Sequence, residues 1–271
     1  MWDETRDDKA IRVTTTDRFA VSERNRLRPK KMPDMIANRV REMIARGEVG
    51  DGEWLPTEPE LMATFGVSRP TLREAFRLLE ADSLVTIRRG PPGGARVTIP
   101  GPEAAASQFG LLLTLSHTSI QDVYEARMVI EPAAARTLAE RGNATARKAL
   151  AAEVERLAQL VDSPEEFVSA TVQFHRKLVE LAGNKTLATV VGMLTEILTR
   201  HMAETVRDNS RRRAEMTAYD ERAVRAYQKL VTLIQARDGE GAEKFWIRHM
   251  KAAREYVLNV DDTTQVVDLL Y

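Results

Sequence analysis

Two helix-start signals, Thr57 and Ser68, bracket a glycine stop at Gly66, and no other stretch of the chain restricts the fold as tightly. In Thr57-Glu58-Pro59-Glu60 a hydroxyl at the N-cap is followed three residues on by a carboxylate, the pattern of a capping box. Pro59 sits in the first turn, where its missing N–H costs little. Leu61, Met62 and Phe65 supply the apolar side of a short helix, and Gly66 offers the left-handed conformation that ends one. Ser68 opens the next helix, its oxygen expected to accept an orphan N–H. That helix is expected from about Arg69 to Asp82. Leu72, Ala75, Phe76 and Leu79 fall at i, i+3, i+4, i+7 as its buried stripe. Arg69, Arg73 and Arg77 form a basic row off that stripe.

Two short helices joined by so tight a turn fit a helix-turn-helix. A major groove admits a helix, and arginine forks suit guanine edges and phosphates. After this pair come Leu84–Arg88, then Gly90-Pro91-Pro92-Gly93-Gly94, then Ala95–Ile99. Val85 with Ile87, and Val97 with Ile99, alternate as in half-buried strands. A hairpin tipped by Arg88, Arg89 and Gly90 is a wing, and its glycines allow close approach of backbone to phosphate. An arginine row is usually a solvated face, and a lone helix-turn-helix pattern has many false positives. The capping box, the basic helix and the basic hairpin taken together favour DNA binding. Leu55-Pro56-Thr57-Glu58, Gly66-Val67-Ser68-Arg69, Leu72-Arg73-Glu74-Ala75 and Leu78-Leu79-Glu80 resemble the winged helix of GntR-family transcription regulators. The resemblance covers residues 32–100. The expected DNA contacts are Ser68, Arg69, Thr71, Arg73, Arg88, Arg89 and Gly90; Arg69, Thr71, Arg73, Arg89 and Gly90 match positions with which that family touches DNA. Where the family often has arginine after Leu-Pro-Ser-Glu, this chain has Pro59, which removes one contact.

Forty basic and forty acidic residues leave the 271-residue chain with no net charge, so affinity for nucleic acid has to come from local patches. Without cysteine there is no disulfide, thiolate metal site or thiol nucleophile. No apolar run approaches the ~20 residues of a membrane span, and Met1–Val13 lacks an apolar signal core. A cytoplasmic protein is the expectation. Residues 1–31 read as a disordered leader, with the alternative of a basic arm at Arg24, Arg26, Arg28, Lys30 and Lys31. Asp34, after Pro33, is the expected N-cap of a supporting helix whose stripe is Ile36, Val40, Met43 and Ile44.

Pro100-Gly101-Pro102 marks a domain boundary. Residues 101–260 read as an all-α antiparallel bundle, which makes the protein mainly α: a winged helix-turn-helix followed by helices. After Glu103–Leu115 the segments are about Ile120–Arg141, Ala144–Val161, Pro164–Ala182, Lys185–Arg207, Arg211–Ala236 and Glu240–Leu258. Gly183-Asn184 and Asp238-Gly239 are short turns, which imply antiparallel neighbours. Residues 261–271 form a tail.

Within the bundle, polar residues interrupt the apolar stripes. Arg127 lies among Ile120, Val123, Ile130 and Ala134; Thr171 and His175 lie among Phe167, Phe174, Leu178 and Ala182. Tyr227 lies among Ala223, Leu230, Val231 and Ile234, and His249 among Phe245, Trp246 and Ala253. A buried polar group needs a partner, and a ligand cavity would supply it. Singly, each has a plainer reading: Arg127 pairs with Glu131 at i+4, and a histidine on an apolar face is usually a satisfied core residue. Coming from several helices they point to one effector site of Arg127, Thr171, His175, Tyr227 and His249. His201 is a weaker candidate.

Tyr124-Glu125-Ala126-Arg127 with Glu131, Phe174-His175 with Ala182-Gly183-Asn184, and Arg237-Asp238-Gly239 with Arg248-His249 resemble the FCD-type effector domain of FadR-like GntR regulators. That resemblance implies a homodimer bound to a palindromic double-stranded operator, and a small organic acid or acyl-CoA effector. It also implies a divalent metal held by one Asp and three His. Here the Asp position is Thr171 and the middle His position is Tyr227, leaving His175 and His249. Two imidazoles make a weak site, so no tightly held metal is expected and some family members that bind acyl-CoA without metal are the nearer parallel. The resulting expectation is a ligand-responsive repressor. A metal-dependent sensor of organic acids, an architectural DNA binder without effector, and an enzyme are the competing readings; no nucleophile–base spacing or phosphate loop supports the last.

Overall fold

The computed structural model describes residues 31–88, 90, 93–208 and 213–259, in two compact units that part between Ile99 and Pro100. Residues 1–30 of the expected leader, with all of its basic arm except Lys31, the tail at 261–271, and Arg89, Pro91 and Pro92 lie outside the described residues.

The first unit contains α1 (Met32–Ala45), α2 (Glu58–Phe65), α3 (Arg69–Ala81), β1 (Val85–Arg88) and β2 (Gly94–Val97). Lys31, not Asp34, is the N-cap of α1; Asp34 stands in the first turn, where its charge favours the helix dipole. Proline at position 33 explains the shift, because its fixed φ suits the first helical residues and draws Met32 into the helix. Thr57 and Glu60 form the anticipated box on α2: the Thr57 N–H and hydroxyl both donate to the Glu60 carboxylate, each at 2.8 Å. Gly66 ends α2 with φ +64. Ser68 is the N-cap residue of α3 but makes no side-chain cap bond; its hydroxyl lies 3.0 Å from that of Thr71 instead.

Leu72, Ala75, Phe76 and Leu79 of α3 are buried against Ile36, Ala37, Val40 and Ile44 of α1 and against Val85, Ala95 and Val97 of the hairpin. The antiparallel register pairs Val85 with Val97 and Arg88 with Gly94. Ile99 is not part of a strand. It lies beyond the last pair and is 56% exposed, because its N–H is taken by the Asp51 carboxylate rather than by a ladder partner. The Glu80 carboxylate accepts the Ile87 N–H, tying α3 to β1.

The second unit is helical throughout its described residues: α4 (Pro102–Leu115), α5 (Ile120–Arg141), α6 (Ala144–Ala158), α7 (Pro164–Leu181), α8 (Lys185–Asp208), α9 (Arg213–Gln235) and α10 (Gly239–Asn259). Ser119 and Asp122 cap α5 reciprocally, and Asn143 caps α6 through the Ala146 N–H. α6 stops at Ala158, short of Val161, where i→i+3 bonds at Gln159 and Leu160 tighten the last turn. Gly239 is not a turn residue. Arg237 takes the left-handed turn (φ +59), and Gly239 begins α10, where a Cβ would strike the Glu140 side chain.

Short connections make successive helices reverse. α5 and α10 run antiparallel, as the pairs Arg136–Glu243, Glu131–Trp246 and Tyr124–Met250 show. α5 and α7 run parallel: Glu131 meets His175, and Ala134 packs in one cluster with Val179. The main core gathers Leu138, Leu150, Leu157, Phe174, Leu178, Tyr227, Leu230 and Trp246 from α5, α6, α7, α9 and α10. A second cluster joins α4, α5 and α8 through Phe109, Leu113, Ile120, Val123, Leu194 and Ile197.

Candidate functional site

On the first unit the apolar stripe of α3 is fully used, so Arg69, Arg73 and Arg77 are turned outward. Arg69 and Arg73 side chains are 55% and 63% exposed. Both approach the Glu58 carboxylate on α2, at 3.5 and 3.6 Å, while Arg77 pairs with Glu74 at 3.4 Å. Ser68 is exposed, Thr71 half-buried. A groove of about 720 Å³ runs between α2, α3 and the hairpin, lined among others by Glu58, Arg73, Arg77, Glu80, Arg88 and Gly90. Arg88 is exposed at the end of β1, and Gly90 adopts φ +87. Arg69, Arg73 and Arg88 thus form one basic, solvent-facing surface with Glu58 as its acidic counterweight. Glu58 was not among the sequence candidates; its signal was its place in the first turn of a helix facing the arginine row.

In the second unit, α5, α7, α9 and α10 bring Arg127, His175, Tyr227 and His249 into one buried cluster, and its hub is Glu131. Arg127 and Glu131 are 4% and 0% exposed. The Arg127 Nε donates to Glu131 Oε1 at 2.7 Å, and Trp246 Nε1 donates to Oε2 at 3.0 Å. His175 Nδ1 lies 2.5 Å from Oε2, and its Nε2 lies 3.3 Å from the Tyr227 hydroxyl. Burial alone raises the Glu131 pKa, but the Arg127 charge, then His175 and the Trp246 N–H, outweigh it and hold the carboxylate at about 2. Burial keeps His175 below its usual value against the pull of Glu131. His175 is therefore a neutral ring that donates from Nδ1, which leaves Nε2 to accept from Tyr227. Burial also holds Tyr227 in its protonated form. His249 is pushed down to about 4, by burial and then by His175.

Aromatic rings wall the cluster. Phe174 stacks on Tyr227 with centroids 4.4 Å apart, and Trp246 stacks on His249 at 4.6 Å. Against this saturation, Arg127 Nη2, Thr171 Oγ1 and His249 Nε2 are buried without a hydrogen-bond partner. Each such atom costs about 1–3 kcal/mol relative to a partnered one. Thr195 Oγ1, on α8, is similarly unpartnered. The side chain of His201 lies outside the described residues.

Of the five sequence candidates, Arg127, His175, Tyr227 and His249 come together around Glu131, while Thr171 stands one turn before His175 on α7 with its hydroxyl unpartnered; two members of the cluster escaped the sequence reading. Glu131 appeared there only as a pairing option for Arg127, and Trp246 only as core. The available signal was a carboxylate at i+4 from Arg127 on the buried side of α5.

The cluster does not fit a metal held by one Asp and three His. His175 already has Nδ1 on Glu131 and Nε2 beside Tyr227, and the two remaining positions are Thr171 and Tyr227. No cluster of at least three His, Cys, Asp or Glu suited to a metal occurs among the described residues.

Residues 33–97 match the family described as "Bacterial regulatory proteins, gntR family", and residues 122–252 match the FCD domain. The "HTH-type transcriptional repressor NanR" of Shigella sonnei (strain Ss046) is 36% identical over 171 residues, covering 61% of this chain and 64% of that protein. The protein of the same description from Escherichia coli O7:K1 (strain IAI39 / ExPEC) is 36% identical over 177 residues, covering 63% of this chain and 66% of that one. The chain therefore spans just under two thirds of the length of these relatives. The solved structure of Streptococcus agalactiae GntR shares the fold with a TM-score of 0.63 at 20% identity, over 82% of this chain and 99% of that one.

Proposed function

Because the chain belongs to the gntR family of bacterial regulatory proteins and carries an FCD domain, we propose that it is a transcription repressor that leaves its operator when a small organic acid or acyl-CoA fills the helical unit. The observation that carries the reading is the contrast between three solvent-facing arginines on one helix and three unpartnered buried polar atoms in the bundle. Arg69 and Arg73 reach base edges, Arg88 and Arg89 with Gly90 meet the sugar-phosphate backbone or minor groove, and Ser68 and Thr71 touch phosphate at the start of α3. Two copies of the chain bind the two halves of a palindromic site. The effector acts by favouring one arrangement of that dimer over the other. No helix among the described residues is long and apolar enough to cross a membrane, and we place the protein with its DNA in the cytoplasm.

The named relatives are transcription repressors, and turnover of a bound organic acid is not part of the proposal. A gel-shift titration of DNA upstream of the protein's own gene, with panels of organic acids and acyl-CoA thioesters, tests it. The expected result is a discrete complex that one panel member weakens by ~5–150-fold, the usual range of allosteric coupling. An architectural binder would give a complex that no panel member alters.

A further inference from the structure

We propose that the outer face of the wing sheet is a second phosphate-binding surface, in which Arg96 and Trp54 grip the DNA strand on the far side of the minor groove that the wing enters. This rests on the reading of the first unit as a DNA-binding module, and adds two residues to its footprint.

The sheet is wider than its two strands. Trp54 forms an antiparallel bridge with Arg96 on the edge of β2 away from β1. The Leu55 N–H donates to the Ala95 carbonyl and the Val97 N–H to the Glu53 carbonyl. Across β2, Arg96 pairs with Thr86 on β1. Ala95 and Val97 are buried in the core shared with α3. By strand alternation Arg96, flanked by Trp54 and Thr86, therefore stands on the opposite face. The Thr86 and Thr98 hydroxyls, 3.4 Å apart, lie on that face as well. Trp54 is 42% exposed, and its ring leans along the ribbon toward the tip. Its Cε3 lies 3.7 Å from where a Gly94 Cβ would stand, beside the Arg88–Gly94 pair.

The positive charge of this face is unanswered. Arg96 Nε donates to the Gly52 carbonyl at 2.7 Å, which fixes the guanidinium and leaves its terminal nitrogens without an ion pair among the described residues. The carboxylates of the neighbouring turn point to backbone instead: Asp51 accepts the Ile99 N–H at 2.8 Å and Glu53 the Gly50 N–H at 3.0 Å. The Trp54 indole N–H has no acceptor among the described residues. Arg69 and Arg73 on α3, by contrast, share Glu58. A fixed guanidinium fork beside a free indole N–H suits phosphate oxygens, which accept from both.

Groove geometry supplies the phosphates. A minor groove is about 6 Å wide, and a backbone walls it on each side. The inner face of the wing is turned to α3, so with α3 in the major groove the wall shared by the two grooves lies on that side. The other wall then lies against the outer face. Arg96 stands two residues from Gly94, about 7 Å along the strand, close enough to the tip for its side chain to reach that wall. Such contacts carry no base information, so they set affinity and register rather than sequence choice.

The test is binding of the full-length protein to DNA upstream of its own gene and to a random duplex, followed by fluorescence anisotropy over a range of salt. Arg96→Gln should lower the salt slope by about 0.9, which near 0.1 M salt is about 8-fold in affinity, equally on both duplexes. Arg96→Lys keeps the charge and should keep the wild-type slope. A slope lost equally in both variants means that Arg96 acts only through its bond to the Gly52 turn, and overturns the proposal. Trp54→Phe keeps a ring over Gly94 but removes the N–H, and should weaken both complexes about 3-fold or more with the slope unchanged. In ethylation interference, wild type should need a phosphate on the strand across the minor groove from α3, and Arg96→Gln should lose that position alone. An unchanged slope and an unchanged ethylation pattern in Arg96→Gln overturn the proposal and leave the repressor reading standing. Wild-type protein that forms no complex with either duplex defeats the repressor reading and this surface with it.

Discussion

Arg73 with Glu58 and Arg127 with Glu131 are the same two functional groups in opposite surroundings. The first pair is separated by 3.6 Å with its arginine 63% exposed; the second by 2.7 Å with its arginine 4% exposed. Water screens the first pair, so it is worth ~0–1 kcal/mol and a phosphate can displace it. The second is cut off from water and carries two further donors, His175 and Trp246, on the same carboxylate. Removing one member there strands the other. An exposed pair is thus a holding arrangement, in which Glu58 keeps the arginines of α3 aligned until a stronger anion arrives. A buried one is a structural joint, with Arg127 Nη2 the one side of it left unpartnered.

The largest effect that tests this contrast is Glu131→Ala. It leaves the Arg127 charge and the Trp246 N–H buried without their acceptor, and should cost about 3–5 kcal/mol in guanidinium unfolding followed by circular dichroism. A loss under 1 kcal/mol would mean that the joint is not structural.

Acid should loosen the same joint. His249 titrates near 6.5 when unfolded and at about 4 when folded, so between those values the unfolded chain holds the extra proton and stability falls as pH falls, by on the order of 3 kcal/mol at most. Glu131, held at about 2 against an ordinary 4.5, extends the loss below pH 4.5. Asp220, pushed up to about 7 by burial, acts the other way: the stability it lends is present in acid and fades as pH rises through 7. Comparing wild type with His249→Phe by thermal melts from pH 7 to 4 isolates the histidine, and the variant should show the shallower acid loss.

On the exposed side, Arg69→Ala and Arg73→Ala should each weaken specific DNA binding by about 1–3 kcal/mol. Smallest of all, Glu58→Gln should change stability by less than about 1 kcal/mol and tighten non-specific DNA binding severalfold at low salt. Fluorescence anisotropy with duplexes of specific and random sequence reads both, and the Glu58 effect should vanish as salt rises. If it persists at high salt, Glu58 contributes more than screened charge.

Much of the architecture was legible in the chain because local rules and tertiary packing agree there. Thr57, Gly66 and the stripe from Leu72 to Leu79 each say helix boundary or buried face, and the structure has them so. The Gly183-Asn184 turn was legible for the same reason, whereas the second turn centres on Arg237 and Gly239 belongs to α10. Boundaries failed at two places: Pro33 moved the cap from Asp34 to Lys31, and Ile99 lost its strand partner to Asp51. Ser68 kept the boundary of α3 but turned its hydroxyl to Thr71 instead of a backbone N–H. In the site, periodicity located the polar interruptions at Arg127, Thr171, His175, Tyr227 and His249 without revealing their bonding. That Arg127, His175 and Trp246 share the Glu131 carboxylate depends on whether α7 and α10 run with or against α5, and helical spacing within one segment carries no such information.

The three-way bond at Glu131 has a consequence for how this chain can change. Position 131 is answerable at once to positions 127, 175 and 246, which lie on three different helices. A drift through single substitutions strands a charge or a donor at every step. A simultaneous exchange of all four for apolar residues of equal volume would hold the helices as firmly, so a lineage could keep this architecture only by changing every member of the joint at once.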